Sequence, residues 1–374
     1  MAHLKIRYNV PVIYYHSIGP VNRYWYRNFL TTLPEIFEQH LKFLVSRFSV
    51  ITLKELWMIR SGYLKPVKNS IIINFDDGYL DNFLWAFPLI KKYGVKVTIF
   101  ISPDFVDRRK IVRSKKEDES GFLSWEEMKI MEASGLVDIQ SHTMTHSKYF
   151  ISEKITDFHN YYSDYLYPIG NLYPEQKPYY IGNKSFKELI PYGYPFFEES
   201  SSVIARKIEI NPEFTELCIK LLKNYDFDNY NFSEAFEIIK PYYFNYLKNN
   251  KLIISRESED DYRKRVHFEI AESKRIIEEK LGKKVEFLCW PHGDNNEELH
   301  KIALNLGYLM TTKGKAKDSG KYDPSRIPER MGIDFSTWYK KYKTILKLNA
   351  YSDKSPYSEL MKILRNVNTF RYSR

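Results

Sequence analysis

An α/β fold with a mostly parallel sheet, closed as a (β/α) barrel and interrupted by one large Tyr-rich insertion, is what this 374-residue chain predicts. Three observations carry that expectation. Short β-branched or aromatic runs alternate with amphipathic helical stretches, the rhythm of a βα-repeated fold. Chemically able side chains stand where the strand-like runs end. The length exceeds one ordinary domain but suits a barrel of roughly 200–250 residues carrying an appendage.

Taken in order, residues 10–16 read as a strand and 34–48 as a helix with Phe37, Leu41, Leu44 and Val45 on one face. Residues 71–75 read as a buried strand, 79–93 as a helix and 95–101 as another strand. A helix over 124–134 opens with a capping box, Ser124 with Glu127 three positions on, and 137–140 is the next strand. The alternation stops over 148–262 and resumes with a helix over 263–281 that Gly282 ends. Strands at 285–290 and 308–312 then flank a helix at 297–306. The expected organisation is therefore a barrel from 1–147 and 263–335, an insertion at 148–262 and a basic tail at 336–374. The insertion holds 16 of the 31 tyrosines. Packing of a small subdomain explains this bias; sugar stacking by Tyr161, Tyr162, Tyr165, Tyr167, Tyr192 and Tyr194 is the alternative.

Composition narrows the class. Hydrophobic residues make up 43% and charged residues 28%, a globular balance. Two distant cysteines, Cys218 and Cys289, offer neither a disulfide framework nor a cysteine zinc cluster. Residues 1–11 lack an apolar leader, which points to a cytoplasmic protein. The net charge of +10 is concentrated at the C-terminus, where residues 330–374 hold ten Lys or Arg against three acids. Without a nucleic-acid module, such a tail argues against nucleic acid and for a solvated surface or an anionic membrane.

Four polar groups follow predicted strands: His16, the Asp76–Asp77 pair, His142, and His292 within Pro291-His292-Gly293. In a βα barrel the strand C-termini share one face, so residues almost 280 positions apart would meet in one pocket. Adjacent carboxylates can divide metal binding from proton transfer, or simply turn the chain and cap a helix. His142 and His146, four apart, can chelate one ion from a helical turn, or lie on a surface helix. Two histidines and one carboxylate leave a coordination position open for water, as in catalytic zinc sites. The other histidines, His3, His40, His159, His267 and His300, suggest no role, and Cys289 reads as core.

These residues reach a known family. Asn74-Phe-Asp-Asp-Gly78 resembles the first motif, TFDDG, of the NodB-like polysaccharide deacetylases, carbohydrate esterase family four. Ser141-His-Thr-Met-Thr-His146 resembles the second, and Trp290-Pro-His-Gly293 the third. The resemblance implies a distorted (β/α) barrel with Asp77, His142 and His146 as ligands of Zn²⁺, or of Co²⁺, Ni²⁺ or Mn²⁺. It makes Asp76 the general base, and it makes Trp290, Pro291 and Gly293 substrate-binding. The backbone N–H of His292 would help hold the oxyanion.

Three departures stand out. Asn74 replaces a threonine, and His292 replaces a tyrosine or phenylalanine. Cys289 and Trp290 stand where many members have arginine and proline, so the arginine that orients the catalytic aspartate is absent from its usual place. No Leu-His motif follows Tyr308. Tyr15-His16-Ser17, similar to the opening of poly-N-acetylglucosamine deacetylases, makes His16 the expected general acid, with His292 as substitute.

The expected activity is removal of N-acetyl groups from amino sugars of a polysaccharide or lipopolysaccharide precursor, free or lipid-linked. Alternatives are a deformylase or amidase using the same site, and an inactive barrel that binds glycan or a partner. Residues 338–349 place Trp338, Tyr342, Ile345 and Leu346 on one helical side and Lys340, Lys343 and Lys347 opposite. Packing on the barrel is the expectation; peripheral contact with the inner face of the membrane is the alternative.

Overall fold

The computed structural model describes residues 6–21, 28–115, 120–160, 162, 170–179, 189–315 and 322–352. The first half runs β1 (Val12–Tyr15), β2 (Ser17–Ile18), β3 (Thr31–Thr32), α1 (Pro34–Val45), β4 (Ser49–Val50), α2 (Leu53–Arg60), β5 (Ser70–Phe75), α3 (Phe87–Tyr93), β6 (Val97–Ile101), α4 (Trp125–Ala133) and β7 (Val137–Ser141). The insertion contributes β8 (Lys148–Phe158), β9 (Pro195–Ser201), β10 (Ile208–Ile210), α5 (Pro212–Leu221), α6 (Phe232–Lys248) and β11 (Ile253–Arg256). The chain then continues with α7 (Glu259–Leu281), β12 (Phe287–Leu288), α8 (Glu297–Asn305), β13 (Met310–Thr312), β14 (Arg326–Ile327), β15 (Arg330–Met331) and α9 (Trp338–Tyr351).

Eight strands pair in the order β14-β13-β12-β7-β6-β5-β1-β15, all parallel, with β4 alongside the start of β5. The edge strands β14 and β15 are separated in sequence only by Pro328 and Glu329. Three residue steps span at most about 11 Å. The two edges must therefore lie side by side, and the sheet curls into a barrel with a seam that carries no ladder bonds.

Side-chain alternation sorts the strand residues into two apolar clusters. Ile13, Ile71, Ile73, Phe75, Val97, Ile99 and Ile101 join the cluster shared with the surrounding helices. Val12, Ile72, Phe100, Phe287, Met310 and Ile327 form the interior cluster. Leu53, Leu56 and Ile59 of α2 join the interior cluster, so α2 closes the barrel end opposite the strand C-termini. A second capping box, Thr52 with Glu55, starts this helix. Arg60, at its end and almost wholly buried, donates to the carbonyls of Pro324 and Arg326 at 2.9 and 2.8 Å and so ties the seam to the floor.

Local expectations fare unevenly. The Ser124–Glu127 capping box forms as read, and Gly282, with φ +66°, ends α7. The helix expected over 79–93 begins instead with a π-helical turn over Asn82–Ala86. The strand expected over 285–290 shrinks to the two residues of β12. In α9, Leu346 and Leu348 are buried but Trp338 and Tyr342 face outward, so the apolar stripe does not pack along its whole length.

The insertion departs from the parallel rhythm. β8 pairs antiparallel with β9, and β10 with β11. Phe158, Phe197, Phe214, Cys218, Leu222, Ile239 and Tyr243 anchor a separate apolar cluster to which Tyr225, Tyr230 and Tyr246 pack. Tyr192 lies against His159 and Phe227, and Tyr194 against Phe196. Tyr161, Tyr165 and Tyr167 lie outside the described residues. Among the described insertion tyrosines, Tyr192, Tyr194, Tyr225, Tyr230, Tyr243 and Tyr246 are spent on ring packing, whereas Tyr162 is exposed and its hydroxyl donates to the Asp228 carbonyl at 3.3 Å.

Candidate active site

The strand register levels the polar residues. Tyr15 pairs with Phe75, and Ser141 with both Ile101 and Leu288. Each next residue extends the ladder by one bond: Asp76 N–H donates to Tyr15 (2.9 Å), His142 N–H to Ile101 (2.8 Å) and Cys289 N–H to Ser141 (2.9 Å). His16, Asp76, His142 and Trp290 consequently ring one face. They line a cavity of about 640 Å³ together with Tyr14, Asp77, His146, His292, Gly293 and Arg330. The insertion adds Lys148 and Glu199 to its wall, ion-paired at 3.0 Å. None of the insertion's described tyrosines lines the cavity.

Asp77 and Gly78 take successive positive φ values, +70° and +68°. A Cβ on residue 78 would sit 2.5 Å from Ile101 Cγ2, so the turn requires glycine there. This turn aims the Asp77 carboxylate at two imidazoles, with Oδ1 at 3.4 Å from His142 Nε2 and 3.3 Å from His146 Nε2. Oδ1 is buried and accepts no hydrogen bond, while Oδ2 accepts from Tyr79 at 3.0 Å. His142 Nδ1 lies 2.8 Å from the Cys289 carbonyl. A carbonyl only accepts, so Nδ1 carries a proton and Nε2 is the ring nitrogen left facing Asp77. One bare carboxylate oxygen and the Nε2 atoms of two imidazoles within 4.8 Å of one another form a donor set that fits a divalent cation.

His142 and His146 are not on a helical turn, contrary to the spacing argument. They flank a loop in which Thr143 and His146 are left-handed, at φ +64° and +47°. The rings nevertheless meet, with centroids 4.9 Å apart.

Asp76 is held by an arginine that sequence reading missed. Arg330 Nη1, from β15, lies 2.6 Å from Asp76 Oδ1. Oδ2 faces His16 Nε2 at 3.9 Å. Burial penalises the Asp76 charge, but Arg330, His142 and His16 outweigh it and hold the carboxyl below its ordinary value. Asp77 behaves alike, with His146 and His142 carrying it well below. Burial, with His146 and Lys148 nearby, depresses the His292 imidazole far below its usual range, leaving a neutral ring.

The third motif differs from expectation in one respect. The Trp290 ring is wholly buried and its Nε1–H donates to Thr311 Oγ1 at 3.1 Å, which puts the indole in the core rather than against a sugar. His292 (φ +57°) and Gly293 turn along the cavity wall, Pro291 being buried behind them. Gly314 permits this approach, since a Cβ there would lie 2.3 Å from the Gly293 carbonyl oxygen.

Residues 64–175 and 249–311 match the family model described as polysaccharide deacetylase. The matched segments are similar to a polysaccharide deacetylase domain and span somewhat less than half of the chain. The stretch the model skips falls within the insertion. YxkH of Bacillus subtilis (strain 168), whose name provisionally assigns it to the polysaccharide deacetylases, is 32% identical over 176 residues, covering 43% of this chain and 57% of that protein. The chain thus spans a little over half the length of this relative. The barrel also resembles solved structures. A de-N-acetylase from Aggregatibacter actinomycetemcomitans superposes with TM-score 0.54 at 17% identity, over 90% of this chain and 98% of that one. The BpsB deacetylase domain from Bordetella bronchiseptica gives 0.51 at 16%, over 86% and 95%. At such identities the likeness is one of fold.

Proposed function

We propose that the chain is a metal-dependent hydrolase that removes N-acetyl groups from amino sugars of a polysaccharide or related glycan. The observation that carries this reading is the buried, donorless Asp77 Oδ1 facing His142 Nε2 and His146 Nε2. These three residues would hold Zn²⁺ or a similar divalent ion. Such an ion supplies Lewis-acid polarisation of an amide carbonyl and lowers the pKa of water.

The chain's own groups do the rest. Asp76, kept ionised by Arg330 on Oδ1, offers Oδ2 to take the proton of the attacking water. His16, beside that oxygen and open to the cavity, donates a proton to the departing amine. His292, held neutral, is the poorer donor. Gly293 and the Lys148–Glu199 pair bound the space for the sugar.

Metal analysis with acetate assay on a panel of N-acetylated sugars tests the reading. Acetate release by the metal-loaded protein is the expected result. Formate release instead would favour a deformylase, and a loaded protein that turns over no acylated substrate would favour a glycan-binding barrel.

Arg330→Met is expected to lower stability by about 3–5 kcal/mol, because it strands a buried carboxylate. Asp76, depressed in the folded state, contributes stability that is present above about pH 4 and lost as pH falls further. The variant removes that contribution at neutral pH and moves the acid limb of the activity profile to higher pH. Urea unfolding at pH 7 and a pH–rate profile check both signs.

The proposed partner surface is an anionic bilayer at the cytoplasmic face, met by the first half of α9. Trp338, Tyr339 and Tyr342 are 81%, 62% and 56% exposed, interleaved with Lys340, Lys341 and Lys343. Exposed rings among lysines suit the headgroup region of a membrane carrying a lipid-linked glycan. Co-sedimentation with phosphatidylglycerol vesicles is expected, and Trp338→Ala with Lys340→Glu should weaken it; equal recovery with neutral phosphatidylcholine vesicles would count against the surface.

A further inference from the structure

The loop bearing both histidines has no regular structure to hold it, yet five of its polar groups are taken up by two side chains from elsewhere. Glu269, on α7 and wholly buried, accepts from Met144 N–H at 3.1 Å and Thr145 N–H at 2.9 Å through Oε2, and from the Thr145 hydroxyl through Oε1. Lys177, from the insertion and almost wholly buried, donates to the Thr145 carbonyl at 3.1 Å and to Ser147 Oγ at 2.7 Å. It also pairs with Asp104 at 3.4 Å, whose N–H donates to the Met144 carbonyl. The carboxylate and the ammonium thus grip opposite polarities of one short segment, 144–147, between which His146 stands at φ +47°.

We infer that Glu269 and Lys177 are positioning residues that fix His146, and through it the three-residue ligand set, from outside the barrel strands. The inference rests on the metal-binding reading of Asp77, His142 and His146. A non-glycine left-handed residue is strained and persists only where its surroundings enforce it. Here the enforcement comes from a helix 123 positions after His146 and from an insertion residue just beyond the family-model match at 175. The insertion therefore does more than fill space: through Lys177, which does not itself line the cavity, it bears on the ligand loop.

The test uses the full chain, stripped of metal and titrated with Co²⁺ by visible absorption. Glu269→Gln and Lys177→Met are expected to weaken Co²⁺ binding about 10–100-fold, the usual effect of removing a partner that orients a ligand, and to alter the d–d bands. Arg60→Met, an equally buried cation tied to the seam, should lower Tm without changing Co²⁺ affinity or spectrum. Should Glu269→Gln not fold, Lys177→Met, which keeps the aliphatic stem, decides the matter. Wild-type affinity and spectrum in a folded Lys177→Met overturn the inference. A wild-type chain that binds no Co²⁺ overturns the metal centre with it, whereas one that binds Co²⁺ but releases no acetate overturns only the deacetylase reading.

Discussion

Asp76→Asn is expected to lower kcat by about 10²–10⁴, the range a positioned general base contributes, while the protein still takes up its cation. The two effects separate because Asp76 and its neighbour face different ways. Asp77 turns left-handed toward the imidazoles, whereas Asp76 extends the β5 ladder and meets Arg330 and His16. The amide is nearly isosteric and still offers Arg330 one oxygen acceptor, so the pocket keeps its shape, although the stability contributed by the ionised carboxylate is lost. What it cannot do is accept a proton at neutral pH. Single-turnover acetate release beside metal content per chain reads both quantities. Parallel loss of metal and activity would assign Asp76 to the ligand set instead.

Asp77→Ala and His146→Ala should give the reverse pattern: cation lost, turnover reduced to background, and the stripped Asp77→Ala protein less stable at neutral pH. Against the cost of burial, the two imidazoles, at 3.4 and 3.3 Å, hold the Asp77 carboxyl well below its ordinary value, so its ionised form favours the folded state above about pH 4 and that contribution goes with the side chain. Dialysis against Zn²⁺ followed by elemental analysis, with Tm measured in chelator, checks the pair of effects. Full metal occupancy in both variants would refute the assignment.

Much of this site could be read before any fold was known, because its residues follow apolar strands. Phe75, Ser141 and Leu288 end runs that could hardly be anything else, and parallel register brings the next residues level. The Ser124 and Gly282 helix signals are likewise local, and they hold. Arg330 was illegible for the opposite reason: β15 is two residues long, too short for any period, and a lone arginine in a basic stretch sends no signal. Glu269 is one of seven acids along α7, and only the packing of that helix against the ligand loop distinguishes it. The His142–His146 spacing misled about backbone shape, since a spacing of four fits a helix as well as a tight loop. Cys289 acts through its carbonyl, and no side-chain pattern encodes that.

The seam between β14 and β15 has a consequence for biosynthesis. The cation that steadies Asp76 is encoded 254 positions later, on the strand that seals the ring against β1. A growing chain therefore displays its acids and imidazoles long before their guanidinium counterpart leaves the ribosome. Until the last staves of the barrel slot beside the first, the half-made rim lacks the guanidinium that steadies Asp76. Ring closure and chemical competence thus arrive together, once β15 has been made.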